Sequence, residues 1–249
     1  MDVFDRFKNN QFLSPVSSKT LQKIGNHCRI NEKSEILEID SGNGAVSILL
    51  AHFFHSQLTG TENRPVFLHD AKRRALFEDV THQVNFIESD INNLPFDEHF
   101  FNLAIYLSPP FPCETDKYLV KVAPFTVPNG WISISNTVVR DKNEFNLKEE
   151  FRNWIKSRNK NIELRTMEES VKLYEGLGFS VKKTLIEDKK SWEIFYSSQA
   201  LTLLDKKSEK NISHIEKKYF DEWQKELEMY HSGGGKESLD YVTFLIQKK

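Results

Sequence analysis

The stretch Ile36-Leu37-Glu38-Ile39-Asp40-Ser41-Gly42-Asn43-Gly44-Ala45 decides the fold of this chain. A short apolar run ends at an acidic residue, two glycines follow, and an amphipathic run continues from Ala45 to His55. That order reads as strand, tight turn and helix, a junction that presents backbone N–H groups to a ligand. Glycine lets a ligand come close to the backbone there because no Cβ intervenes.

Outward from this junction, apolar runs and polar segments alternate. A second strand is predicted over Ser56 to Thr61, ending at Glu62, with a helix through Val66 to Asp79. Val84 to Glu88 reads as a third strand ending near Asp90. Phe101 to Leu107 is a fourth strand and, apart from Asn102, apolar, as a strand buried on both faces should be. A short helix over Lys117 to Phe125, a turn at Pro128-Asn129-Gly130 and a fifth strand over Trp131 to Ser135 complete this half. Upstream, Ser17 to Cys28 has helical spacing behind serines able to cap it. Strands and helices in this rhythm predict a doubly wound, mostly parallel α/β sheet, whose ligands sit at the carboxyl ends of the strands.

Beyond Arg140 the texture changes. Asn143 to Lys160 is polar with scattered aromatics, Glu168 to Tyr174 is helical, and Leu177-Gly178-Phe179 opens a sixth strand. Leu201 to Tyr230 predicts one or two amphipathic helices with solvated outer faces. Ser232-Gly233-Gly234-Gly235 reads as a flexible break before a last apolar strand at Asp240 to Gln247.

Composition narrows the function. Acids and bases nearly cancel, giving a formal net charge of -2, where a binder of nucleic-acid backbone would usually carry a basic excess. The two cysteines, Cys28 and Cys113, are far apart, which disfavours a disulfide framework and points to a reducing cytoplasm. Eight scattered histidines show no ligand spacing, so no metal is expected. The start of the chain lacks a basic segment followed by an apolar one, and no apolar run is long enough to span a bilayer, so no membrane association is expected.

Over Glu35 to Ile134 the chain resembles the class I S-adenosylmethionine-dependent methyltransferases, whose first motif is a strand ending Glu/Asp-x-Gly-x-Gly-x-Gly. Asp40 stands where that family has its first glycine. Asn63-Arg64-Pro65 resembles the turn after the family's second strand, Val127 to Trp131 the turn before its fifth, and Leu177-Gly178-Phe179 the opening of its sixth. The best likeness is to the small-molecule, ubiquinone-biosynthesis-like group.

The resemblance implies a Rossmann-like sheet of seven strands with the last antiparallel. It implies a single domain over 1–249, made of an N-terminal helical or lid segment (1–34), a cofactor core (35–140) and a C-terminal elaboration with helical inserts (141–249). S-adenosyl-L-methionine is the implied cofactor. Its expected contacts are Glu38, Asp40, Ser41, Gly42 and Gly44 for the amino-acid part, with Glu62 and Asn63 for the ribose. Asp90 and Ile91 would meet the adenine, and Tyr106 and Leu107 the methyl end. Tyr106 and Ser108 are the catalytic candidates, while Phe12, Ser108, Phe111 and Trp154 are candidates for holding a small-molecule acceptor.

Three other readings compete. A nicotinamide dehydrogenase would need Gly-x-Gly-x-x-Gly, whereas Gly42 to Ser47 ends in serine. Ser108-Pro109-Pro110-Phe111 resembles the motif of nucleic-acid amino-methyltransferases, in which an aromatic stacks on a flipped base. A catalytically inactive, methyltransferase-like binding protein is the third, motivated by Asp40.

Overall fold

The computed structural model describes residues 3–111, 113–158, 163–209 and 211–248. In chain order the elements are α1 (Val3–Phe7), α2 (Ser18–His27), β1 (Glu35–Ile39), α3 (Ala45–Phe54), β2 (Gln57–Thr61), α4 (Pro65–Phe77), β3 (Val84–Ile87) and β4 (Phe101–Leu107). They continue with α5 (Thr115–Val122), β5 (Thr126–Val139), α6 (Lys142–Leu147), α7 (Glu149–Arg158), α8 (Met167–Gly176) and β6 (Phe179–Ile186). Last come α9 (Lys189–Lys207), α10 (His214–His231), α11 (Gly235–Ser238) and β7 (Leu239–Lys248).

The strands form one sheet of order β3-β2-β1-β4-β5-β7-β6. β1 to β5 are parallel neighbours, and β7 runs antiparallel between β5 and β6. The seven-stranded doubly wound sheet expected from the sequence is the one observed.

Local chemistry accounts for the element ends. Ser17 caps α2 by accepting from the Thr20 N–H, and Pro65 opens α4 at a position where no N–H is needed. Thr166 with Glu169 and Ser213 with Glu216 form capping boxes at the starts of α8 and α10. The central strands are buried on both faces. One core packs them against α2, α3, α4 and the later helices, while a second, including Leu37, Ile39, Tyr106, Leu119, Tyr174 and Phe244, lies against α5 and α8.

Three expectations are corrected. The turn expected at Pro128-Asn129-Gly130 lies inside β5 as a bulge: Phe101 pairs with Thr126 and Leu103 with Trp131, so five residues of β5 span two of β4. Asn129 takes φ +62 there. The glycine-rich stretch before β7 is not a free break, because the Gly233 N–H donates to the Glu228 carbonyl and α11 starts at Gly235. The predicted helical region from Leu201 begins earlier, at Lys189, where Asp188 caps α9 by accepting from the Ser191 N–H. Part of the polar stretch Asn143 to Lys160, its residues 159 and 160, lies outside the described residues.

The later helices tie down the N-terminus. Arg6 of α1 donates to Gln199 of α9 and to Glu226 of α10, and the Glu226 side chain is wholly buried. Arg158 of α7 reaches the other oxygen of Glu226 at 3.4 Å. The Arg6 guanidinium also lies 5.4 Å from the Trp223 ring. This buried network fixes α1, and with it the loop to Ser17, above the carboxyl ends of β1 and β4. No helix of the described residues is long and apolar enough to cross a membrane.

Candidate functional site

The chain leaves β1 toward β2 and β3 on one side, and leaves β4 toward β5 on the other. The crevice between the carboxyl ends of β1 and β4 is thus the topological switch point, where open α/β sheets bind ligands. A cleft of about 410 Å³ opens there. Its walls come from the ends of β1, β2, β3 and β4, from the loop between α1 and α2, and from α5.

The turn after β1 holds its shape through strained and fixed backbone. Asp40, Gly42 and Gly44 have φ of +52, +55 and +73. A Cβ on Gly44 would lie 2.5 Å from the Phe86 ring and 2.9 Å from Ala71, so only glycine fits. A Cβ on Gly42 would meet Leu13 at 2.2 Å, which shows that Leu13 lies directly over the turn. The Ser41 N–H donates to the Thr61 carbonyl at 2.8 Å, tying the turn to β2.

Glu62, at the end of β2, is 1% exposed. One oxygen accepts from the Gly42 N–H at 3.0 Å; the other accepts from the Arg64 backbone N–H at 2.9 Å and from its Nε at 3.0 Å. Arg64 Nη2 adds a contact at 3.3 Å, and the guanidinium lies 4.3 Å from the Phe67 ring. Glu62 therefore anchors the glycine turn from below, while Arg64, Asn63 and Phe67 form the cleft wall above it.

Glu38 also lies behind the turn. Its carboxyl accepts from the backbone N–H and hydroxyl of Ser47 in the first turn of α3. Complete burial pushes its pKa up to about 8, with the two Ser47 bonds opposing the shift and the Glu62 charge adding to it. Because the folded pKa lies above that of the unfolded chain, the folded state binds the extra proton between the two. Stability is thus fully present below the ordinary carboxylate range and declines as pH rises toward about 8. Glu38→Gln removes that titration. Melting curves at pH 5 and pH 8.5 should show a larger drop for the wild type than for this variant; equal drops would contradict the assignment.

Asp40 is sheltered at the mouth of the turn. Its Oδ2 accepts from the Tyr118 hydroxyl at 3.0 Å. Burial raises its pKa, against the Tyr118 bond; the nearby charges are Glu62, Arg64 and Asp90. Tyr118 of α5 stacks on Tyr106 of β4, with ring centroids 3.7 Å apart and planes 14° apart. Burial pushes Tyr118 up to about 12 and Tyr106 higher still, so both hydroxyls stay protonated near neutral pH. Across the cleft, Asp90 accepts from the Asn92 N–H at 2.6 Å, which holds its pKa low, and Ile91 supplies an apolar wall.

Of the residues singled out from the sequence, Asp40, Asn63, Asp90, Ile91, Tyr106 and Leu107 converge on this cleft. Glu38, Ser41, Gly42, Gly44 and Glu62 form the turn and its support behind that lining. Ser108 is fully buried: its hydroxyl donates to the Pro109 carbonyl, and its own carbonyl accepts from Ser14 Oγ at 2.7 Å and Tyr241 Oη at 2.8 Å. Phe12 is buried in a separate, smaller cavity against α9. Phe111 and Trp154 meet edge-to-face at 5.4 Å under Arg158, away from the cleft lining.

Phe7, Leu13, Ser14, Arg64, Phe67, Asn92, Pro109 and Tyr118 line the cleft without having been singled out as site residues. Arg64 and Pro109 adjoin residues that were, and that adjacency was the available signal. Phe7 and Leu13 come from the N-terminal segment expected as a helical or lid segment, but no local pattern reveals which of its residues face the cleft.

The strand order, the antiparallel β7 and the glycine turn facing an acid-lined cleft define the fold of class I S-adenosylmethionine-dependent methyltransferases. Residues 36–130 match the family model for a methyltransferase domain. A S-adenosylmethionine-dependent methyltransferase from Thiobacillus denitrificans, solved in complex with S-adenosyl-L-homocysteine, has 20% identity and a TM-score of 0.80, covering 100% of both chains. One from Geobacter sulfurreducens, solved with the same ligand, has 18% identity and a TM-score of 0.83, covering 99% of this chain and 97% of that one. No curated protein matches the chain by sequence.

Proposed function

We propose that the protein binds S-adenosyl-L-methionine in the β1/β4 cleft and transfers its methyl group to a small-molecule acceptor. The observation that carries this reading is the convergence of Asp40, Asn63, Asp90, Ile91, Tyr106 and Leu107, drawn from four strand ends, on one cleft. The donor set fits the cofactor. Asp40 and Asp90 offer acceptors to a cationic ligand, while Ile91, Phe67 and Leu13 offer apolar walls to a flat ring.

When bound, the cofactor supplies a methyl group already activated on a sulfonium. The chain's part is then to orient the acceptor and exclude water. Phe7, Leu13 and Ser14 roof the cleft for that purpose. Tyr106 and Tyr118 remain protonated, so they orient and donate hydrogen bonds rather than take a proton.

The engagement of Ser108 favours a small acceptor over a flipped base. An amino-methyltransferase needs a backbone carbonyl and the side chain of that motif as acceptors; here the buried Ser108 hydroxyl donates to the Pro109 carbonyl, and the Ser108 carbonyl takes two internal donors. The inactive alternative draws on Leu13 lying over Gly42 and on Arg64 occupying Glu62. Methyl-labelled cofactor offered with panels of small amines, phenols, carboxylates and thiols, and with single-stranded DNA and RNA, separates these readings. Label in a small molecule supports the proposal; label only in nucleic acid overturns the acceptor class.

A further inference from the structure

We propose that Asp40, held in place by Tyr118, makes the cleft discriminate by charge between S-adenosylmethionine and its demethylated product, an inference that rests on the cofactor reading above. Asp40 stands at φ +52 between the end of β1 and the glycine turn, a backbone angle that aspartate and asparagine tolerate better than most residues. It lines the cleft, and among the described residues its hydrogen-bond donor is the Tyr118 hydroxyl. A carboxylate offers about four acceptor positions, so most of its capacity is open to a ligand.

The surrounding charges do not neutralise it. The charged groups closest in effect on Asp40 are Glu62, Asp90 and Arg64, and Arg64 is already bound to Glu62. Immediately around Asp40 acids thus outnumber bases, while Lys121, at the rim, is engaged with Asn92. The cofactor carries an ammonium, a carboxylate and a sulfonium, for a net charge of +1. In the transfer, the acceptor's electron pair forms the new bond to the methyl carbon. The C–S pair returns to sulfur as a thioether lone pair, and the positive charge leaves with the acceptor or its released proton. The product keeps the ammonium and carboxylate but is neutral overall. An acidic pocket around Asp40 therefore loses attraction at the moment of transfer, which favours release of the product and limits its inhibition.

Isothermal titration of the full-length protein with S-adenosylmethionine and, separately, with S-adenosylhomocysteine tests this. The wild type should bind the methylated form more tightly. Asp40→Asn should weaken that form roughly tenfold while changing the demethylated form less than about threefold, the scale of one partly screened charge pair. Asp40→Gly, compatible with the same backbone angle, should behave likewise and guards against misfolding of one variant. Equal losses for both ligands would mean that Asp40 serves the shared ammonium or the turn itself, and would overturn the proposal. So would unchanged affinity for the methylated form. If the folded wild type binds neither ligand, the cofactor reading fails first and this inference falls with it.

Discussion

Glu62→Ala is expected to weaken S-adenosylmethionine binding about a hundredfold. Removing this carboxylate takes away the acceptor for the Gly42 N–H and for three donors of Arg64. An unsatisfied buried donor costs about 1–3 kcal/mol, and more for a charged group. The turn it anchors has three residues at positive φ, and its other tie to β2 is the Ser41 N–H bond to Thr61. The buried Gly42 N–H and the half-exposed Arg64 donors together lose about 2–6 kcal/mol, a range that spans the roughly 2.7 kcal/mol of a hundredfold change. Glu62→Gln, which keeps the shape and one acceptor oxygen, should lose less. Titration of both variants alongside the wild type provides the comparison. Wild-type affinity in a folded Glu62→Ala protein would remove Glu62 from the account.

Glu226→Ala is expected to give the largest loss of stability outside the sheet. Its carboxylate is wholly buried and pairs with Arg6, whose side chain is 11% exposed, and with Arg158. Removing one partner of a buried pair leaves an uncompensated charge, at a cost of about 3–5 kcal/mol. Urea denaturation should show a correspondingly lower midpoint, and Glu226→Gln a smaller shift. Because Arg6 fixes α1, Phe7 should also lose its place over the cleft, and cofactor dissociation should quicken. A midpoint within experimental error of the wild type would show that the network contributes little.

The sheet was legible in the sequence because β1 and β4 are buried on both faces and so read as nearly continuous apolar runs, broken only by Glu38 and Asn102, with turn residues at their ends. The turn at Asp40 to Gly44 was legible because glycine, and after it aspartate and asparagine, best tolerate the positive φ angles found there. The cap was harder. α9 buries Ser191, Gln199 and Thr202 beside Trp192 and Phe195, so its inner face looks half polar and its first turns do not stand out. The bulge in β5 was hidden because Pro128-Asn129-Gly130 carries the chemistry of an ordinary turn, and only pairing with β4 shows that the strand resumes on both sides.

Within the cleft, strand-end positions could be assigned from the sequence, but side-chain direction could not. Leu107 lines the cleft, while Ser108, one residue on, turns inward and gives its carbonyl to Ser14 and Tyr241. Tyr118 comes from a helix eleven residues beyond the end of β4, and its stacking on Tyr106 is a tertiary fact. Leu13 over Gly42 and Arg64 on Glu62 likewise depend on contacts between segments.

The most direct test of the central claim is calorimetric titration of the folded wild-type protein with S-adenosylmethionine. Saturable binding of one cofactor per chain, weakened by Glu62→Ala and by Asp40→Asn, is the predicted result. No measurable binding, by calorimetry or by a shift in melting temperature, would contradict it.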